Sequence, residues 1–210
     1  NKMELDSMQS YLNGLETERE RLAKELHDNV ANELICINFQ LQKDQIPEKI
    51  LGQLEDLHTE IRSISHELMP PKFKYANLPE IIYDYIYKLN IRNDVQIEVD
   101  LENEYLLTDL SDKMALEIYR IIQEAVGNIV KHAQATTGKI TLKYTDDILH
   151  LIIEDNGRGY NPELKHNGIG LRIIRDRIKS LNGNIDIDTA DGMGCRIDIT
   201  LPTLQSDDNK

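Results

Sequence analysis

The sequence predicts an α+β protein in two unequal parts: a helical hairpin that dimerises into a four-helix bundle, then an α/β sandwich with a mixed sheet. Three observations predict it. Apolar residues recur three and four apart as far as Leu68, the pair Pro70-Pro71 stops that pattern, and beyond it period-two segments alternate with amphipathic helices. The 210 residues are 40% hydrophobic and 29% charged with no low-complexity tract, which is the make-up of folded protein rather than disorder.

The first helix opens with Leu5, Met8, Leu12 and Leu15 in a coiled-coil seam, weakened mildly at Gly14. The spacing then changes, because Leu22, Leu26, Val30 and Leu34 stand four apart before Ile37 and Leu41 restore alternation. Such a stutter unwinds a seam locally and marks a point where the helix bends or rotates. A short connection over 43–46 and Pro47 separates this helix from a second arm, where Ile50, Leu54, Leu57, Ile61, Ile64 and Leu68 keep a strict heptad. Two such arms cannot bury their apolar faces alone, so a homodimer is expected. After the Pro-Pro break the pattern predicts a helix over 78–89 and a strand over 95–101. A long helix over 111–131 follows, then a hairpin of strands 139–144 and 148–154 with Asp146 and Asp147 at its tip. A helix over 168–181 and closing strands 184–189 and 195–201 complete the sheet. The domain division is therefore 1–70 for the hairpin, 71–77 for a linker, 78–202 for the sandwich and 203–210 for a polar tail.

A formal net charge of -13 argues against binding a nucleic-acid backbone, which calls for a basic face. Any anionic ligand must be held by local geometry. Cys36 and Cys195 lie far apart with no metal-ligand spacing, so a reducing, cytoplasmic setting is expected. No stretch approaches the ~20 apolar residues of a membrane helix, yet the chain opens inside a helix with no start signal, so it reads as a fragment of a longer chain.

Three motifs in the second half carry chemistry. In Glu124-Ala-Val-Gly-Asn128-Ile-Val-Lys131-His132-Ala133, Glu124, Asn128, Lys131 and His132 recur at helical spacing, and a polar stripe on an apolar helix needs a polar client. An Asn oxygen suits Mg²⁺ and a Lys suits phosphate, while His132 either lines the site or buttresses Lys131. In Asp155-Asn-Gly157-Arg-Gly159, an acid at a strand end can accept from an adenine amino group, and Gly157 and Gly159 let backbone approach a flat base. In Gly168-Ile-Gly170-Leu171, free N–H groups at a helix start favour a polyphosphate. His58, His66, His150 and His166 default to surface or structural roles.

Together these motifs resemble the N, G1 and G2 boxes of the GHKL (Bergerat) ATP-binding fold, shared by histidine kinases, type II topoisomerases, Hsp90 and MutL. The resemblance covers about residues 78–202. It implies that Asn128 binds Mg²⁺, with Glu124 reaching the ion through water. It further implies that Asp155 binds the adenine amino group, that Gly168, Gly170 and Leu171 belong to the phosphate lid, and that Glu124 and Lys131 line the triphosphate of ATP. Upstream, the stretch from Glu16 to His27-Asp28 resembles the phosphoacceptor helix of the nitrate-sensor-like (HisKA_3) histidine kinases, which usually partner response regulators with helix-turn-helix output domains. Ile64-Ser-His-Glu-Leu-Met-Pro70-Pro71 and Leu171-Arg-Ile-Ile-Arg-Asp-Arg-Ile resemble the same subfamily. The implied activity is autophosphorylation of His27, with Asp28 as general base, and transfer to a receiver-domain aspartate.

Two departures from that family carry expectations. Asn32 stands where Gln is common and is thought to position water for dephosphorylating the regulator; an amide one methylene shorter implies weak or absent phosphatase activity. Cys195 follows Gly192-Met-Gly194 where Thr is general, and a thiol is the poorer donor and acceptor, so nucleotide affinity is expected to be modest. The lid over 160–167 is short, so part of the phosphate shielding is expected from the docked His27 helix.

Overall fold

The computed structural model describes residues 2–42, 48–73, 76–160 and 169–203. The chain divides into two compact units, residues 1–71 and 72–210. The connection over 43–47 lies outside the described residues, as do Gly168, His166, the rest of the lid over 161–167, and 204–210 of the tail.

The first unit is helical. Helix α1 (Lys2–Glu25) runs through a π-helical turn (Leu26–Ala31) into α2 (Asn32–Gln42), and α3 (Glu48–Leu68) forms the other arm. The π turn falls on the four-residue stutter. A turn closed by i→i+5 bonds takes in an extra residue, which is what a seam repeating every four residues demands. Among the described residues only Leu12, Ala23 and Ala31 are fully buried apolar side chains here. Two of the three are alanines that bring the arms close without contributing much buried area. On α3 the heptad splits: Leu54, Ile61 and Leu68 are half-buried, while Ile50, Leu57 and Ile64 form an exposed stripe at 43–44%.

The second unit has its own core. Helix α4 (Leu78–Arg92) opens with a capping box, in which the Asn77 side chain accepts from the Glu80 N–H and the Glu80 carboxylate accepts from the Asn77 N–H, both at 3.0 Å. The other elements are β1 (Gln96–Glu102), a short α5 (Glu104–Leu107), α6 (Asp112–Asn128), β2 (Thr137–Thr145), β3 (Ile148–Asp155), α7 (Ile169–Ser180), β4 (Asn184–Thr189) and β5 (Cys195–Pro202). A second π-helical turn (Ile129–Ala133) ends α6. The sheet order is β1-β2-β3-β5-β4, with β1 parallel to β2 and the remaining pairs antiparallel. Asp146 and Asp147 both adopt positive φ, 52° and 60°, forming the tight two-residue link between the paired Thr145 and Ile148.

Alternation sorts the two faces of the sheet. Ile140, Leu142, Leu149, Leu151, Ile197 and Ile199 point into a core completed by Ile82, Ile118, Ile122 and Ile174 of the helices. The opposite face carries a charged ladder, with Lys139 3.2 Å from Asp100, Lys143 2.8 Å from Glu102, and Arg196 bridging Glu154 and Asp198. Helices α6 and α7 are tied by a buried ion pair, Arg177 Nη1 to Glu117 Oε2 at 2.7 Å. Among the described residues no helix is long and apolar enough to cross a membrane.

Candidate functional site

The first unit presents His27 on the π turn. Its ring Nδ1 lies 3.0 Å from Asp28 Oδ1, with the His27 side chain 41% exposed. Asn32, one turn on, turns back along the helix, and its side-chain amide donates to the Asp28 carbonyl at 2.8 Å. The three hairpin residues singled out in the sequence are thus linked in a chain of contacts.

The second unit encloses a cavity of about 450 Å³ between α6, the end of β3, the start of α7 and the start of β5. Glu124, Asn128, His132, Asp155, Gly159, Gly170, Leu171 and Cys195 all line it. Two expected residues do not. Lys131 is exposed and off the lining, because the π turn changes the helical advance after Asn128: an i+3 residue rotates off the face while the i+4 residue, His132, stays on it. Gly157 is packed against Ala133 instead, where a Cβ would run into the Ala133 carbonyl.

At one end of the cavity the α7 start lies directly on α6. A Cβ at Gly170 would meet Glu124 Oε1 and crowd the Asn128 amide, so a side chain here would push the Glu124 carboxylate out of its present position. At the other end Asp155 accepts from the Gly157 N–H at 2.8 Å. Burial raises its pKa above the ordinary carboxylate range, with the backbone N–H groups of Gly157 and Cys195 pulling the other way. Strand register sets Cys195 directly beside both Asp155 and Thr189. Burial, then the Asp155 charge, pushes the Cys195 thiol up to about 11, against the nearby Thr189 hydroxyl. The Thr189 hydroxyl itself accepts from the Tyr160 N–H at 3.2 Å and donates to the Gly194 carbonyl at 2.9 Å.

Asn156 is structural. Its side-chain oxygen accepts from the Thr136 and Thr137 N–H groups at 2.9 and 3.0 Å, pinning the loop to the start of β2. Gly159, at φ 59°, passes so close to the Ala190 carbonyl that any side chain would clash. The cavity is also lined by residues the sequence did not mark, the apolar walls Ile129, Ile153 and Ile197 and the flanking Arg158 and Tyr160. Strand alternation signals Ile153 and Ile197 as inward-facing, and Arg158 lies inside the glycine motif, but nothing in spacing alone says that these line a cavity. Among the described residues no group of three His, Cys, Asp or Glu side chains could hold a metal ion alone.

Residues 18–73 match the family described as "Histidine kinase", and residues 114–205 match "Histidine kinase-, DNA gyrase B-, and HSP90-like ATPase". The chain is 30% identical over 206 residues to the sensor protein VraS of Staphylococcus saprophyticus, covering 93% of this chain and 58% of that protein. It therefore spans little more than half the length of this relative. Its fold is similar to the histidine kinase domain of the Erythrobacter litoralis EL346 blue-light activated histidine kinase, with a TM-score of 0.51, 19% identity and coverage of 90% of this chain and 94% of that one. The longer EL346 chain gives a TM-score of 0.54 at 20% identity, covering 90% of this chain and 61% of that one.

Proposed function

The chain belongs to the histidine kinase family, with a HisKA_3 segment ahead of an HSP90-like ATPase segment, and from that premise we propose that it phosphorylates His27 from Mg-ATP and passes the phosphoryl group to a response-regulator aspartate. One observation carries the reading. A single cavity has a half-buried acid among apolar walls at one end, and Glu124 and Asn128 gathered against Gly170 in the first turn of α7 at the other. Asp155 would accept from the adenine amino group and the isoleucine walls would hold the base, while Asn128 and Glu124 face the phosphates. Two oxygen donors fit Mg²⁺ if phosphate oxygens and water supply the rest of its shell, as this hard, reluctantly dehydrated cation commonly requires. When bound, the ion would neutralise charge on the transferring phosphoryl group.

At the hairpin, the Asp28 carboxylate holds the proton of Nδ1, which leaves the lone pair on Nε2. Attack of Nε2 on the γ-phosphorus forms the N–P bond and breaks the bond to the bridging oxygen, ADP leaves, and the surplus ring proton passes to Asp28. The core would act as a homodimer on the cytoplasmic side of a longer, membrane-attached sensor, handing its phosphoryl group to a receiver domain coupled to a helix-turn-helix output. Weak regulator dephosphorylation belongs to the same reading, since the Asn32 amide is engaged with the backbone; equal and fast decay of the phosphorylated regulator with wild type and Asn32→Gln would count against it. The central test incubates the chain with γ-labelled ATP. Wild type should carry acid-labile label, and His27→Gln and Asn128→Asp should carry none. Label persisting on His27→Gln would overturn the proposal.

A further inference from the structure

We propose that Asn32 is a positioning residue for phosphorylation of His27, acting as a side-chain clamp on the π turn; this rests on the kinase reading above. In an unbroken α-helix the Asn32 N–H would bond the Asp28 carbonyl, four residues back. Here it donates to the Asn29 carbonyl, only three back. The Asp28 carbonyl is taken over by the side chain of the same residue, Asn32 Nδ2, at 2.8 Å. A carbonyl can only accept, so the Asn32 atom facing it must be the amide nitrogen.

The clamp has a consequence because of what Asp28 does. Its backbone is held by Asn32, and its carboxylate lies 3.0 Å from His27 Nδ1. Holding the Asp28 backbone sets where its Cβ stands relative to the His27 ring and so keeps the carboxylate within reach of Nδ1, and the carboxylate decides which ring nitrogen carries the proton. A second side chain serves the N-terminal side of the turn: Ser65 of α3, itself fully buried, donates from Oγ to the Ala23 carbonyl at 2.8 Å. The π turn is therefore bracketed by side-chain donors, and the donor on its reactive side is Asn32. Buried Ala23 and Ala31 let α3 approach closely on either side of it.

The chemistry suggests its own rescue. A threonine hydroxyl can reach the carbonyl four residues back, and this chain already does so at Thr17 to Asn13 (3.0 Å) and Thr59 to Glu55 (2.9 Å). Asn32→Leu keeps the size and removes the donor; Asn32→Thr changes the shape and restores it. With the full chain, the Leu variant should label His27 roughly ten- to a hundredfold more slowly at saturating Mg-ATP, as expected for a misplaced reacting group. Its KM for ATP should stay unchanged, because Asn32 does not line the nucleotide cavity. The Thr variant should recover most of the rate. A second readout needs no ATP: the ¹⁵N shifts of His27 should report an Nδ1–H tautomer in wild type and Asn32→Thr, and a mixed population in Asn32→Leu. Wild-type labelling and an unshifted tautomer in Asn32→Leu would overturn the clamp. Absence of His27 labelling in wild type would instead count against the kinase reading, while the tautomer measurement still decides the role of Asn32.

Discussion

Asp155 is an acid held where burial disfavours its ionisation. Burial raises its pKa in the folded state, so across the window between the ordinary carboxylate range and that raised value the native chain keeps a proton that the unfolded chain has lost. Its contribution to nucleotide-free stability therefore falls as pH rises through that window. Asp155→Asn should consequently gain on wild type in thermal stability between acid and neutral pH while losing ATP binding; a stability gap that does not change with pH would contradict this. Its neighbour Cys195 follows similar logic. A thiol raised to about 11 stays protonated at neutral pH and is a poor nucleophile. Alkylation near pH 8 should modify exposed Cys36 well before Cys195, and ATP should slow the second reaction further. Cys195→Thr would place a better donor and acceptor beside Asp155 and should tighten ATP binding severalfold; unchanged affinity would remove any role for the thiol in nucleotide recognition.

Helices α6 and α7 supply opposite walls of the cavity, and the Glu117–Arg177 pair holds them together with side-chain exposures of only 7% and 2%. Glu117→Leu takes this carboxylate partner from a guanidinium that is only 2% exposed and should cost about 3–5 kcal/mol in urea unfolding. The double variant Glu117→Leu/Arg177→Leu should recover much of that loss, and equal destabilisation by single and double variants would show that packing rather than charge sets the cost. Neither residue was legible as special in the sequence, since both look like surface charges on amphipathic helices, and only the crossing of α6 and α7 pairs them. The strands were legible because period-two alternation is itself the consequence of one buried sheet face, as Leu149, Leu151 and Ile153 show. Helix α5 was not, because Glu104–Leu107 is too short to display a period. The place of the first π turn was marked by a change of spacing, which signals a local bend or rotation but not the i→i+5 turn itself. The second was hidden, because Glu124, Asn128, Lys131 and His132 fit an ideal helix equally well, and it is the turn after Asn128 that carries Lys131 away from the cavity.

The two units differ in how each is stabilised, and this sets what each needs from its surroundings. The second unit has a core of many fully buried isoleucines and leucines, each contributing roughly 1.5–3 kcal/mol. The first has few fully buried apolar side chains among its described residues and leaves Ile50, Leu57 and Ile64 exposed one heptad apart on α3, with Leu22 and Val30 exposed on the other arm. A stripe at seven-residue spacing matches the seam of a coiled coil and is self-complementary under a two-fold axis, so a second copy of the hairpin is the economical cover. Leu57, at the middle of the stripe, is the sensitive position. Leu57→Lys places two like charges at the seam of a symmetric pair and should convert a dimer into a monomer in sedimentation velocity. The same variant should still bind ATP, because Leu57 lies outside the unit that holds the cavity. A charge-conserving control, Glu55→Asp on the same helix, should leave assembly unchanged. If Leu57→Lys sediments as wild type does, the stripe is not the seam, and the hairpin must cover its apolar face in another way.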